Sequence, residues 1–415
     1  MSCNTQNFRS LSRLILTGIA TILLYQFIFA ASPTSDKTPQ RIILNLTETP
    51  DKSMAVTWRT KTLVNHPSVQ FAPALASVEV VHNRITITAK TDTLFIEKKA
   101  PLFYYSAQLE PLTPDTRYAY RVGSEGNWSE WNQFQTASDR SEPFTFINFG
   151  DPQNEVLSKC SRVFRAAYEK APTARFWHFT GDLINHGDRD EEWEEFFQAF
   201  GWVARTTPII MLPGNHSYPR MQWMGTSGKR LNPFWKPQFT LPKNGPEKLE
   251  ETTYFVDYQG TRFVMLNTNE GLETQALWLD SLLTQNQQTW TIVALHEPLY
   301  STGRDRNNEL LRNLFLPVFD KHHVDLVLQG HDHTYGRTYK LNNGKRVPEN
   351  EAGTVYVVSV SGPKVYSINS RYLNLMAKTG NGIQLFQEIR IDGNTLQYAS
   401  YTAVDSLFDS FTLTK

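Results

Sequence analysis

Cysteine is nearly missing from this chain: Cys3 and Cys160 are the only two among 415 residues. Cys3 falls in a segment laid out like an export signal, so the mature chain has no internal disulfide and must rely on its core. Cys160 is expected to be a thiol buried in a helix. Excess charge of one sign is missing too, with 41 basic and 41 acidic residues. That balance gives no whole-chain basic footprint, and no nucleic-acid partner is expected. Internal repeats and low-complexity tracts are absent as well. With 40% apolar and 20% charged residues, a packed globular core is feasible.

Long uncharged apolar runs are also missing, except at the start. Arg9 and Arg13 precede a stretch from Leu14 to Ala31 that carries no charge. A basic flank, an apolar stretch and small residues at its end form the layout of a secretory signal. The run also approaches the length of a membrane span. Residues 1–31 are therefore expected to be a signal peptide or a membrane anchor, and the chain to be exported: periplasmic, secreted, or anchored and facing outward. Residues 32–40, with two prolines, read as a linker.

From 41 to 138 the pattern is of short strands: Arg41–Thr47, Met54–Thr60, Ser68–Phe71, Ile85–Thr88, Tyr104–Leu109, Tyr118–Val122 and Gln133–Thr136. In MAVTW and YAYRV the apolar residues alternate, as half-buried strands require. Strands this short and this closely spaced indicate a β-sandwich. From 139 to 415 buried strand-like runs alternate with helical ones, predicted near Leu157–Lys170, Glu191–Arg205, Gln275–Gln285 and Leu310–His322. That rhythm predicts an α/β layered domain. Ile383–Lys415 reads as hairpins around DGN that extend a sheet edge.

Polar residues collect just past the ends of successive strand-like runs: Asp151, Asp182, Asn215 with His216, His296, and His331 with His333. In open α/β sheets that edge is where ligands bind. Two carboxylates, an amide oxygen and three imidazoles form a mixed O/N donor set suited to iron, zinc or manganese. They are too many for one tetrahedral ion but suit two ions sharing a carboxylate. Such a pair clamps the oxygens of a phosphoryl displacement and acidifies a water. Gly150, Gly181, Gly214 and Gly330 each precede one of these residues, where the chain is expected to turn sharply as it leaves a strand.

GD at 150–151, GDLINHG at 181–187, GNH at 214–216, His296 after a strand and GHDH at 330–333 resemble, in order and spacing, the calcineurin-like metallophosphoesterases. The β-sandwich ahead of them resembles the purple acid phosphatases, in which a fibronectin-III-like domain precedes the catalytic one. The resemblance covers nearly everything from residue 41 onward; its motifs are specific for the superfamily and much less so for the substrate. It implies an all-β sandwich (41–138) followed by an α/β metallophosphoesterase domain (139–415). It further implies that Asp151, Asp182 and His333 hold one metal. Asp182 would bridge to a second, completed by Asn215, His296 and His331. His216 would face the substrate as a proton donor or phosphate partner. The implied activity is acid phosphatase-like hydrolysis of a phosphorylated small molecule, with two divalent or mixed-valence ions (Fe, Zn or Mn). Phosphodiester or nucleotide hydrolysis is the runner-up. A non-catalytic surface binding protein is the reading from another class, which a degraded ligand set would favour; here all six are present.

Three departures stand out. Gln153 takes the place where many relatives carry a His, and is expected to support the ligands from behind. Asn185 stands where the family places the Tyr whose charge-transfer band gives the purple colour, so that colour is not expected. Arg304 and Arg306 occupy the stretch where plant-type relatives place substrate-facing histidines; phosphate binding and solvated loop charge are the two readings. His178, His186, His322 and His323 are read as structural. The acidic run Asp188–Glu195 is read as the solvated first turns of a helix. NLT at 45–47 and NWS at 127–129 fit the glycan acceptor pattern.

Overall fold

The computed structural model describes residues 36–96, 99–223 and 226–415; of residues 220–223 and 226–228 only the backbone is described. The expected export segment, 1–31, and the first part of the linker lie outside the described residues. Among the described residues no helix is long and apolar enough to cross a membrane.

Two sheets face each other in the N-terminal part. One contains Gln40–Leu46, Met54–Thr60, Leu102–Leu109 and Lys90–Leu94 in spatial order. The other contains Ile85–Thr88, Ser68–Pro73, Arg117–Ser124 and Asn127–Trp128, with Asn132–Gln135 also paired to Arg117–Ser124. Val56, Trp58, Phe71, Tyr120 and Phe134 close the space between them. The alternation in MAVTW predicts one wet face, yet Met54–Thr60 is buried at every position. The C-terminal part covers its outer face: Thr57 Oγ1 lies 3.0 Å from Thr240 Oγ1, and the Arg59 guanidinium pairs with Asp190 at 2.9 Å.

Buried runs rich in Phe, Ile and Val form the parallel strands of the second part. Phe144–Phe149, Trp177–Phe179 and Ile209–Met211 run parallel. Leu385–Asp392, Thr395–Thr402 and Leu407–Thr414 extend that sheet antiparallel, so the C-terminal hairpins do build an edge. A second sheet has Thr261–Leu266, Trp290–Leu295, Leu326–Gln329 and Val355–Val358 parallel at its centre. The sheets meet face to face, with Phe263 edge-on to Phe146 and Phe176 at 5.1 and 5.2 Å. The helices Ser161–Lys170 and Asp190–Phe200 cover the first sheet; Phe164 stacks on Phe200 at 4.6 Å and meets Phe149 edge-on. Leu272–Thr284 and Glu309–Lys321 cover the second, through Leu279 and Phe315 against Val293 and Val327.

The two parts share a sheet. Asn45 pairs in parallel with Ile209, making one ten-stranded sheet across both. Asn45 is fully buried and its Nδ2 donates to the Ile209 carbonyl at 2.8 Å, so no glycan fits there. A charge cluster seals the same seam. Arg41, with its side chain 2% exposed, donates to Asp190 at 2.7 Å, and Arg59 donates to both Asp190 and Glu194. The acidic run at the start of this helix is thus paired rather than simply solvated.

Breaking such a pair leaves an uncompensated charge under partial burial. Asp190→Ala is expected to destabilise the fold by about 3 kcal/mol, measured by urea denaturation. Burial alone would raise the Asp190 carboxyl, but Arg41 and Arg59 outweigh it and hold it below its ordinary value. The contribution is therefore complete above the unfolded carboxyl pKa of about 4 and is lost as pH falls through the depressed folded value. The gap between wild type and Asp190→Ala should narrow on acidification.

Candidate metal centre

Five strand ends carry the expected ligands to one edge between the two sheets. Asp151 follows Phe144–Phe149, Asp182 follows Trp177–Phe179, and Asn215 and His216 follow Ile209–Met211. His296 follows Trp290–Leu295, and His331 and His333 follow Leu326–Gln329. Four of these residues sit in left-handed backbone: Asp151, Asp182, His331 and His333, with φ of 44, 46, 72 and 47°. Non-glycine residues rarely adopt it, and such strain collects where function requires a side chain to point a particular way.

The glycines before them matter mostly for closeness. Gly181, at φ +94°, needs its conformation, but Gly214 and Gly330 do not have positive φ. A Cβ on Gly214 would lie 2.2 Å from Asp182 Oδ1, and one on Gly330 would lie 2.2 Å from Asp151 Oδ2. Bare backbone is what lets each loop lie against the next ligand, a constraint the expected sharp turn does not convey.

The structure brings all six expected ligands together, in two groups that share Asp182 Oδ2. In one group His296 Nε2 lies 3.1 Å from Asp182 Oδ2, 3.3 Å from Asn215 Oδ1 and 3.2 Å from His331 Nδ1. In the other, Gln153 Nε2 lies 3.2 Å from Asp182 Oδ2 and 2.8 Å from His333 Nε2. Asp151 Oδ1 is 3.9 Å from His333 Nε2. Gln153 is fully buried.

Backbone groups orient these side chains. His296 Nδ1 donates to the Thr180 carbonyl at 2.8 Å, which directs Nε2 into the cluster. Asp151 Oδ2 accepts from His331 N–H at 2.6 Å, and Asp182 Oδ1 accepts from His216 N–H at 2.9 Å. Their other oxygens face inward.

Charge in the cluster is unbalanced. Asp151 and Asp182 are both buried. Burial pulls the His296 imidazolium down, but Asp182 and Asp151 outweigh it and push it up to about 10. Burial raises Asp151 well above the usual carboxyl range. Asp182 would also rise on burial, yet His296 and His216 hold it low. Burial brings His333 down to about 3, helped by the Lys364 ammonium. Buried Asp151 Oδ1, His333 Nδ1 and Gln153 Oε1 have no hydrogen-bond partner among the described residues. Ligand atoms of Asp182, His296 and His331 lie within 4.8 Å of one another. Anionic and neutral donors converging on one buried point, some unpartnered, fit divalent cations well.

His216 stands at the rim, with its side chain 26% exposed and Nε2 3.9 Å from Asp182 Oδ2. Its Nδ1 bonds the Asn185 carbonyl, so Asn185 positions it through backbone. The Asn185 carboxamide turns instead to the His186 ring at 3.0 Å. His186 in turn bonds Glu192, whose Oε2 accepts both the Asn185 and His186 N–H groups. His178 bonds Asn148 at 2.7 Å inside the sheet.

The two arginines separate. Arg306 Nη1 donates to Asp332 Oδ1 at 2.7 Å and to the His331 carbonyl at 3.1 Å. Arg304 is exposed and lies on the Tyr366 ring at 3.8 Å. Two contributors went unnoticed in the sequence. Asp332, fully buried, accepts from Ser301 Oγ, the Thr302 and Gly303 N–H groups and Arg306, tying the loop after His296 to the one bearing His331 and His333. Tyr366 packs edge-on against His333 with centroids 4.8 Å apart. It follows a sixth strand, Val355–Val358, and the Gly362–Pro363 step after that buried run was the available signal.

Residues 39–136 match the family described as the N-terminal domain of purple acid phosphatase, and residues 144–335 match the calcineurin-like phosphoesterases. An uncharacterized protein of Mycobacterium tuberculosis is 27% identical over 331 residues, covering 69% of this chain and 60% of that protein. The chain thus spans less than two thirds of that relative's length. Fe(3+)-Zn(2+) purple acid phosphatase 12 of Arabidopsis thaliana is 24% identical over 335 residues, covering 75% of this chain and 67% of its own. The fold matches the purple acid phosphatase from yellow lupin (Lupinus luteus) seeds with a TM-score of 0.77 at 19% identity, over 91% of this chain and 74% of that one. With both domain matches in order and the expected ligand motifs on one sheet edge, the chain carries a domain of the purple acid phosphatase N-terminal type followed by a calcineurin-like phosphoesterase domain.

Proposed function

We propose that this chain is an exported phosphomonoesterase that works with two metal ions. The observation that carries the reading is the pair of donor groups sharing Asp182 Oδ2, with His216 beside them. Asp151, Asp182 and His333 would hold one ion, and Asp182, Asn215, His296 and His331 the other. Bound there, divalent ions supply Lewis acidity toward the phosphoryl oxygens and make a water nucleophilic at moderate pH. The Fe(3+)-Zn(2+) relative makes iron and zinc the first pair to try.

The chain's own groups do the rest. With Nδ1 held by the Asn185 carbonyl, His216 presents Nε2 to the cleft. A proton on that nitrogen passes to the ester oxygen as the P–O bond breaks, so the leaving alcohol departs neutral. Asp332 fixes the loops on both sides of the cleft, and Gln153 holds Asp182 and His333 in register from behind. The uncharged run Leu14–Ala31 behind Arg9 and Arg13 supports export.

Purified protein should hold close to two metal ions per chain by elemental analysis, and Asp182→Ala should lower this sharply, because one carboxylate serves both groups. An unchanged load in that variant would refute the shared-carboxylate assignment. His216→Ala is expected to keep its metals and lose about 10²–10⁴-fold in kcat on alkyl phosphates. The loss should shrink on esters with good leaving groups, which need no proton; loss of metal would instead make His216 a ligand.

The metal-loaded protein is expected to show no tyrosinate band in visible absorption. Asn185 offers no phenol, Tyr218 OH accepts from Asn267 Nδ2 at 2.7 Å, and Tyr335 OH donates to Asp409 at 2.8 Å. A strong band lost in Tyr366→Phe would show that this nearby ring reaches the metal.

A further inference from the structure

The rim beside His333 is strongly basic, and nothing in the metal centre uses all of it. Tyr366 is its floor. The ring packs edge-on to His333 at 4.8 Å, and the Tyr366 backbone N–H donates to the His333 carbonyl at 3.3 Å. Three cations surround that ring: Arg304 at 3.8 Å, Arg306 at 5.3 Å and Lys364 at 5.5 Å from its centroid. Arg306 is committed to the buried Asp332. Arg304 and Lys364 have no carboxylate partner among the described residues; the neighbouring acid, Asp305, is paired with Arg371 at 2.8 Å.

Arg304 is also held in place. Its φ is 54°, and its N–H donates to the Ser367 carbonyl at 3.2 Å. The adjoining Gly303–Ile368 bridge and the Asn369 N–H bond to Thr302 pin the two loops together. A guanidinium lying on a ring keeps its in-plane N–H fork free for a carboxylate or phosphate. Glu297, immediately after His296, is instead taken up by the Thr268 hydroxyl.

We propose that Arg304 and Lys364, seated on Tyr366, bind a second anionic group on the leaving portion of the substrate. The chain then selects phosphate esters whose alcohol part bears a carboxylate or another phosphate. This rests on the phosphoesterase reading above and adds the substrate class. The scissile phosphate goes to the metal centre and the second anion to the rim, so the two charges fix the direction in which the ester lies.

The test compares kcat/KM of the metal-loaded full chain on phenyl phosphate, 4-carboxyphenyl phosphate and 1,4-phenylene bisphosphate, which share a scissile bond and differ in the distant group. Wild type should prefer the charged pair, and the larger preference identifies carboxylate or phosphate as the better fit. In Lys364→Gln and in Arg304→Gln the ratio of charged to uncharged substrate should fall about tenfold, mostly through KM, as expected for losing a hydrogen bond to a charged group. Arg117→Gln, on the N-terminal sheet, controls for charge alone. A ratio within twofold of wild type in both variants overturns the proposal, as does an equal loss on all three substrates. Titration with phenylphosphonate and 4-carboxyphenylphosphonate separates this from the hydrolase reading. If no ester is cleaved, that reading fails, yet tighter binding of the carboxylated phosphonate that depends on Lys364 sustains the rim. Equal affinities sink it.

Discussion

Two carboxylates, Asp151 and Asp182, are buried side by side, and the rest of the site answers that charge. A buried anion without a counter-charge is costly, so what surrounds it must be donors or cations. Backbone N–H groups of His331 and His216 take one oxygen of each carboxylate. The other oxygens face imidazoles: His296 and His216, whose second nitrogens are tied to backbone, and His333, whose Nδ1 is buried without a partner among the described residues. To bring those groups so near, the glycines before them must lack side chains, and four ligands must accept left-handed backbone. Strain, close approach and ligand geometry are one constraint seen from three sides.

Most of the architecture was legible in the chain because periodicity reports burial. The four helices fall within a few residues of their expected places, and the Met54–Thr60 and Ile85–Thr88 strands match end to end. Lys90–Leu94 was missed because KTDTL carries no apolar alternation; it is an exposed edge strand held by pairing with Leu102–Leu109. The wet face expected of Met54–Thr60 failed for a related reason: alternation says which residues face a core but not what covers the other side.

The gathering of the expected ligands at one edge was legible because motif and strand end coincide five times. What escaped were groups whose role depends on contacts distant in sequence. Asp332 sits in full view inside GHDH, but its partners at 301–306 follow only from the fold. Arg306 reads like Arg304 until the structure gives it to Asp332. Asn185 stood out only as the residue in place of a Tyr, yet it positions His216 through its backbone carbonyl. Lys364 and Tyr366 follow a strand that ends in no ligand, so nothing drew attention there.

The seam at Asn45 and Ile209 has a consequence for how the two parts depend on each other. A parallel strand such as Ile209–Met211 is short and apolar, and next to Asn215 it sets where part of the metal centre begins. Without Gln40–Leu46 beside it, its outer N–H and C=O groups would form an open margin, prone to recruit another chain. The N-terminal module thus serves as a selvedge for the sheet that bears the candidate metal centre, sewn on through Asn45 and clamped by Arg41 and Arg59. Cutting the chain at 138 would yield a frayed sheet with a strong tendency to stick to its neighbours, and not a smaller version of the same protein.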